Sequence, residues 1–536
     1  MDFKYIVAGK VISLPVNPQK IAVQFKEPST HELRRASIGE KSEIGEFENR
    51  IEIPGEKITV VDVPQPKPQL ENKALASAHY ALNADSTVEK TVPVFKLGSS
   101  QVVPSDRILI GFHPQTNASA KNIIADINGK VLREDNNEYL IQLPATADPL
   151  DTVTRLAKLA EISYAEPDFI TIGKHTPLKP VREEGETNGT ESFSRCKRSK
   201  EELTADNAVG KTQEPLAVKQ YALAITQTLA AKELISPNKD ISIAILDEGV
   251  DLRHPDLANS IIGTYDATED DSDQSPMPWD AHGTACAGLA AAVPSNEVGM
   301  QGVAGGCSLM AVRLAYSSTK GGNWITTPSA IKAAIKWAWQ QGADVLSNSW
   351  GGGAPSTAVI NEFENARTQG RNGKGCIIVI AAGNSSGPVD FPGDQPNVLT
   401  VSASNEYDEP KTKTSQDGEY WWGSNFGPEV DIAAPGVHNY TVDMVGIDGY
   451  NEANDIHGNY TDFNGTSSAT PIVAGVAALV LSANPNLSEA QVREIIINTA
   501  EKAGKVVYKN GHNNQMGYGR INALKAVNAA LNNNIV

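Results

Sequence analysis

The chain has 536 residues, with 46 Lys or Arg against 64 Asp or Glu, for a formal net charge of −18. Such acidity argues against nucleic acid as a main partner, because phosphate binding needs a basic surface. A hydrophobic content of 40% excludes a mainly disordered chain, four Cys are too few for a disulfide scaffold, and no apolar run approaches the ~20 residues of a membrane helix.

At ~150 residues per domain the length accommodates two to four domains. The start, MDFKYIVAGKVISLPV, lacks the charged-then-apolar pattern of a secretory leader and reads as strands, which implies the cytoplasm, with export by another route left open. Residues 1–100 carry short alternating runs such as KIAVQF and KITVVDV, and we read a β-rich N-terminal region. Residues 101–175 alternate strands (DRILIGF, EYLIQL, SYAEPDFITI) with helices (NASAKNIIADI, DPLDTVTRLAKLA), the pattern of a small α+β domain. Residues 176–215 are polar and without apolar period, and read as a cleavable linker. From 216 to 536 buried, β-branched strands (DISIAILD, SLMAVRLA, DVLSNSW, GCIIVIAAG, NVLTVSAS) alternate with helices. This predicts a doubly wound α/β domain, its mostly parallel sheet covered by helices on both faces.

Four segments of this last region carry chemistry. Asp247 ends a strand in ILDEGVDLRHPDL, and His282 opens a small-residue helix in WDAHGTACAGLAAA. Asn384 follows a strand in VIAAGNSSG, and Ser467 begins a long apolar helix in FNGTSSATPIVAGVAALVL. Residues at the carboxyl ends of parallel strands and at adjoining helix starts gather at one edge of the sheet. A serine hydroxyl becomes a useful nucleophile when an imidazole removes its proton and a carboxylate orients that imidazole. Donors such as the Asn384 amide and the Ser467 N–H suit the charge that develops on an attacked carbonyl oxygen.

At these motifs (D-x-G, H-G-T, A-A-G-N and G-T-S-x-A-T-P, in that order) the chain resembles the subtilisin-like serine proteases, or subtilases. The resemblance implies a serine endopeptidase made as a zymogen, with Asp247, His282 and Ser467 as triad and Asn384 as oxyanion donor. It departs at Ser468, where many members have Met. Ser349, Trp350 and Gly351 would pair with an extended polypeptide substrate, and Asp390 would lie at the floor of the pocket for the residue before the cleaved bond. There a carboxylate would favour Arg or Lys. Glu248 resembles the acidic neighbour of the kexin-like branch, which favours a basic residue one position further out. The loop VPSNEVGMQGVAG implies a structural calcium, held by Asp256, Asn296 and the carbonyls of Val298 and Met300. Residues 103–172 resemble the propeptide that acts as an intramolecular inhibitor. RCKRSK in the linker offers autocleavage after Arg198, and the acidic run EDDSD (269–273) reads as a solvated loop. A peptide macrocyclase or transpeptidase using the same triad is the alternative; nucleic acid and membranes are not expected partners.

Overall fold

The computed structural model describes residues 2–26, 31–39, 41, 43–45, 50–64, 71–175, 214–451 and 459–532. The linker, with Arg198, lies outside these residues except for its last two positions. The chain forms two compact units that do not follow chain order. The first takes Met1–Lys174 together with Ala315–Lys332 and Gly352–Asn361, and the second takes His175–Leu314, Ala333–Gly351 and Glu362–Val536.

In the first unit the strands are β1 (Asp2–Val7), β2 (Lys10–Phe25), β3 (Ile51–Ile53), β4 (Ile58–Asp62), β5 (Val88–Leu97), β6 (Ser100–Phe112), β7 (Lys130–Asp135), β8 (Glu138–Gln142) and β9 (Ile162–Lys174). Two short strands from far along the chain, β13 (Tyr316–Ser317) and β14 (Asn323–Thr326), complete one eleven-stranded antiparallel sheet. Its main path runs β13-β14-β9-β6-β5-β2-β4-β3. The boundary read near residue 100 falls at a tight turn inside this sheet, where Leu97 pairs with Ser100 and Gly98 takes a φ of 56°. A residue with a Cβ would be strained there.

β9 lies between β6 and β14 and is buried almost throughout, two acidic residues included. Side chains two apart on a strand share a face, so Glu166 and Asp168 point the same way. Each meets the start of a helix. Glu166 accepts from the Ser356 hydroxyl and from the N–H groups of Thr357 (2.9 Å) and Ala358 (3.2 Å), at the head of the helix Thr357–Gly373. Asp168 accepts from Ser329 N (2.9 Å) and Ser329 Oγ (2.7 Å), at the head of the helix Pro328–Gln340, and is paired with Arg107 (2.9 Å). The first amides of a helix lack intrahelical acceptors and carry positive partial charge, so a carboxylate satisfies both needs. Burial nevertheless pushes Glu166 up to about 7, against the lowering effect of these hydrogen bonds.

In the second unit β10 (Ser242–Asp247), β11 (Ile261–Asp266), β12 (Ser308–Arg313), β15 (Val345–Asn348), β16 (Ile377–Ala381), β17 (Leu399–Ser404) and β18 (Ile432–Pro435) form a parallel sheet in the order β11-β12-β10-β15-β16-β17-β18. Every residue of β10, β12, β15, β16 and β17 is buried, as helices over both faces require. The antiparallel pair β19 (Asn439–Val442) and β20 (Tyr460–Phe463) stands apart. The helix Thr466–Ala483 is long and apolar enough to cross a membrane, yet 89% of it is buried, which makes it a core helix. Its Ile472, Val476 and Leu479 belong to the main apolar cluster, with Ala287, Ile245, Val379 and Val401.

Glu166→Ala would leave two helix amides and a hydroxyl without their acceptor. We expect a loss of about 1–3 kcal/mol in the urea unfolding of the intact chain.

Candidate active site

Parallel pairing sets Ile245 opposite Ser347 and Ser347 opposite Val379. Asp247, at the carboxyl end of β10, therefore lies level with Ser349 beyond β15 and with Ala381 at the end of β16. The strand order reverses between β10 and β15, and a crevice forms at such a switch point.

His282 opens the helix His282–Ala291. Its Nδ1 lies 2.8 Å from Asp247 Oδ1, which also accepts from Glu248 N at 2.9 Å. A Cβ on Gly283 would stand 2.2 Å from the carbonyl oxygen of Gly249, so only glycine lets the helix start this close to β10. Bonding Nδ1–H to the carboxylate leaves Nε2 as the basic nitrogen of the neutral ring. Burial, the largest single influence, disfavours the imidazolium, but the charge and hydrogen bonding of Asp247 and Cys286 together exceed it and hold the ring's pKa well above the usual histidine range.

Ser467 is the second residue of the helix Thr466–Ala483, so its N–H is one of the amides without an intrahelical acceptor. Gly465 caps the helix at a φ of 107°. Pro471 has no N–H to offer the carbonyl four residues before it, which is that of Ser467. That carbonyl is taken instead by Ser349 Oγ at 3.0 Å and Cys286 Sγ at 3.5 Å. In return Ser467 Oγ donates to the Ser349 carbonyl at 2.9 Å. A hydroxyl has one hydrogen, so this bond must break before Ser467 can give its proton to a base. Cys286 Sγ also lies 3.9 Å from His282 Nδ1, and thus touches both groups. The neighbouring Ser468 is fully buried and accepts from Asn439 Nδ2 at 2.9 Å, which ties it to the core.

Asn384 Oδ1 accepts from Thr466 N (2.9 Å) and Thr466 Oγ1 (3.1 Å), while Gly383 N donates to Thr466 Oγ1 (3.2 Å). A backbone N–H can be accepted only by the amide oxygen, so the orientation of the carboxamide is fixed and Nδ2 is turned away from Thr466.

Ser349 is buried, and Trp350 and Gly351 are half-buried. A Cβ on Gly351 would be 3.5 Å from Asp390 Cβ, and one on Gly383, at a φ of 104°, would be 2.4 Å from Asp390 Oδ2. Asp390 thus sits beneath the two chain segments that leave β15 and β16. Burial pushes its carboxyl up to about 6, although Asn425 Nδ2 donates to it at 2.9 Å. Glu248 is buried and held well above its ordinary range, first by burial and then by the charge of Asp280. Its Oε1 is 3.4 Å from His175 Nε2. Burial and the neighbouring His282 push His175 down to about 4.

A second cluster surrounds Asp256, which is fully buried. Its oxygens accept from Asn296 Nδ2 (2.8 Å), Met300 N (3.1 Å) and Tyr460 Oη (3.0 Å), while Val298 N donates to Asn296 Oδ1 (3.0 Å). Ser295, Glu297 and Gly299 take φ of 60°, 62° and 57°, and the left-handed region costs the first two roughly 1–2 kcal/mol each. Glu214 joins the loop by accepting from Ser295 N, and its Oε2 is buried with no hydrogen-bond partner among the described residues. Burial and then the charge of Asp256 raise its pKa. An orphaned carboxylate oxygen beside a second buried carboxylate suits a hard cation. Glu214, Asn425 and Tyr460 were not foreseen, because each reaches its cluster from a distant segment without a local motif.

The run 269–273 is exposed, as expected of a solvated loop, and leans on the buried pair Asp266–Arg313 (Nε to Oδ2, 2.9 Å). Cys286, Cys307 and Cys376 are buried free thiols.

The fold is of the subtilisin type, with the site at the carboxyl edge of its parallel sheet. A solved crystal structure, that of fervidolysin from Fervidobacterium pennivorans, a keratinolytic enzyme related to subtilisin, shares it. The TM-score is 0.59 and the identity 24%, over 79% of this chain and 61% of that one. The sequence profile of the subtilase family matches residues 238–519, and the chain belongs to that family. The profile of the fervidolysin N-terminal prodomain matches residues 89–168, so a prodomain is present. The chain is 38% identical over 323 residues to a calcium-dependent protease of Trichormus variabilis, covering 54% of this chain and 46% of that one. It therefore spans about half the length of that curated relative. It is 32% identical over 337 residues to the halolysin-like extracellular serine protease Nep of Natrialba magadii, covering 61% of this chain and 55% of that one. That relative overturns the cytoplasmic expectation. The expectation drew on the composition of the first residues, which does not report where a folded enzyme works.

Proposed function

We propose that the chain is a serine endopeptidase made as a zymogen, in which Asp247, His282 and Ser467 form the catalytic triad. The observation that supports this best is the Asp247–His282 hydrogen bond, beside a serine at a helix N-terminus whose hydroxyl is held by one exchangeable bond to Ser349. When a substrate strand approaches, His282 Nε2 takes the Ser467 proton as Oγ attacks the scissile carbonyl, and Asp247 stabilises the imidazolium. Asn384 Nδ2 and the Ser467 N–H receive the oxyanion. His282 then gives the proton to the leaving amine, and water repeats the sequence to free the acid. Among the described residues no feature favours an amine over water as acceptor, so the macrocyclase reading has no support of its own. Ser349, Trp350 and Gly351 would pair with the polypeptide substrate by strand addition. Residues 1–100 and 101–175 would form the pro-region, 176–215 the linker cut after Arg198, and 216–536 the enzyme. Labelling by a serine-directed fluorophosphonate should vanish in Ser467→Ala and persist in Ser468→Ala. Asn384→Ala should lower kcat by roughly 10²–10³, a figure borrowed from the equivalent donor in the relative subtilisin. Equal labelling of Ser467→Ala and the parent chain would sink the assignment.

Asp390 would give preference for Arg or Lys before the cleaved bond. With its pKa at about 6, the carboxyl is charged above that pH and neutral below it. The ratio of kcat/KM for an Arg substrate to that for a Leu substrate should therefore fall as pH drops through 6, and Asp390→Asn should flatten it. His282 titrates equally for both substrates and cancels from the ratio.

Asp256, Asn296, the carbonyls of Val298 and Met300, and Glu214 would hold a structural calcium. Bound there, the ion would neutralise the two buried carboxylates and fix the loop. The name of the calcium-dependent relative supports this reading. Chelation should lower the Tm of the parent chain, and Glu214→Gln should reduce that shift; a Tm indifferent to chelator would remove the ion from the account.

A further inference from the structure

Beside the Asp247–His282 pair stands a cluster that takes no part in the proton transfers of the proposed reaction. A ring nitrogen of His175, a carboxylate oxygen of Glu248 and one of Asp280 all lie within 4.8 Å of one another. Glu248 is 5% exposed and Asp280 1%, and His175 is half-buried. One oxygen of Glu248 is 3.4 Å from His175 Nε2. The other, Oε2, is buried and has no hydrogen-bond partner among the described residues. An acceptor left in that condition is costly, and two carboxylates placed together in a buried site repel one another.

We propose that His175, Glu248 and Asp280 bind a divalent cation of borderline softness, such as Zn²⁺, for as long as His175 is held in this position. An imidazole with two carboxylates matches such a cation better than calcium, which prefers oxygen alone. Tetrahedral zinc with bonds of about 2.0 Å separates its ligand atoms by roughly 3.3 Å. The His175–Glu248 distance of 3.4 Å already meets this, and the Asp280 oxygen lies within 4.8 Å of both, so it would have to close in on the ion. Water would take the fourth position. The ring of His175 lies 6.5 Å, centroid to centroid, from that of His282. If His282 is the catalytic base, as proposed above, the cation fastens residue 175 next to it and slows clearance of the site in the precursor. Binding itself does not depend on that reading.

The intact chain carrying Ser467→Ala, in excess calcium, should be titrated with Co²⁺ and followed by its visible ligand-field absorption. One equivalent should bind, be displaced by Zn²⁺, and bind at least about tenfold more weakly after His175→Ala or Glu248→Gln. Cys286→Ser should leave binding unchanged, because Cys286 belongs to a different group of donor atoms, with Asp247 and His282. Should Glu248→Gln not fold, half-buried His175 still supplies the test. No absorption at saturating Co²⁺, absorption that survives His175→Ala, or absorption lost in Cys286→Ser would each overturn the proposal.

Discussion

At the first turn of the helix Thr466–Ala483, hydrogen bonds hold together segments that are far apart in sequence. Asn384 accepts from Thr466, Ser349 exchanges two bonds with Ser467, Cys286 reaches the Ser467 carbonyl, and Asn439 holds Ser468. Two of these bonds exist because Pro471 lacks the N–H that would otherwise occupy that carbonyl. A residue that seems misplaced inside a helix thus opens an acceptor where the neighbouring segments need one. Thr466 N is taken by Asn384 and the N–H groups of Ser468 and Ala469 by the Gly465 carbonyl, which leaves the Ser467 N–H for the crevice, so the features that hold the segments together also equip the site.

The strands of the parallel sheet were legible because burial on both faces makes each a continuous apolar run; β10, β12, β15, β16 and β17 all fall on segments read that way. Asp247, His282, Asn384 and Ser467 were legible because each lies in a short motif at a strand end or helix start. β13 and β14 were missed, since strands of two and four residues carry too little periodicity to register. Glu166 and Asp168 were read simply as part of a strand. Their role at two helix heads depends on contacts 161 to 192 residues away, which no local pattern encodes. Glu214 is a similar case, because only folding brings it to Ser295.

The net negative charge that first spoke against nucleic acid is unevenly distributed. The run 269–273 faces solvent, whereas Asp247, Glu248, Asp256, Asp280 and Glu214 are withdrawn from it. Buried carboxylates persist only where a partner offsets their desolvation. For Asp247 that partner is His282, and for Asp256 it is a ring of N–H and O–H donors. Glu248 and Glu214 each keep an oxygen without one among the described residues, and burial raises the pKa of both.

The sheet of the first unit also bears on the order of events during synthesis. β9 ends at Lys174, yet its outer neighbour β14 begins only at Asn323. A ribosome that has released the first 174 residues has therefore not yet made the strand that covers β9, nor the two helix heads that receive Glu166 and Asp168. Until roughly 150 more residues emerge, at about 5–20 per second, the end of β9 is an open edge, Glu166 lacks the donors of the later helix and Asp168 has Arg107 but not Ser329. The N-terminal region cannot finish folding on its own schedule; its last step waits for the chain of the subtilase domain.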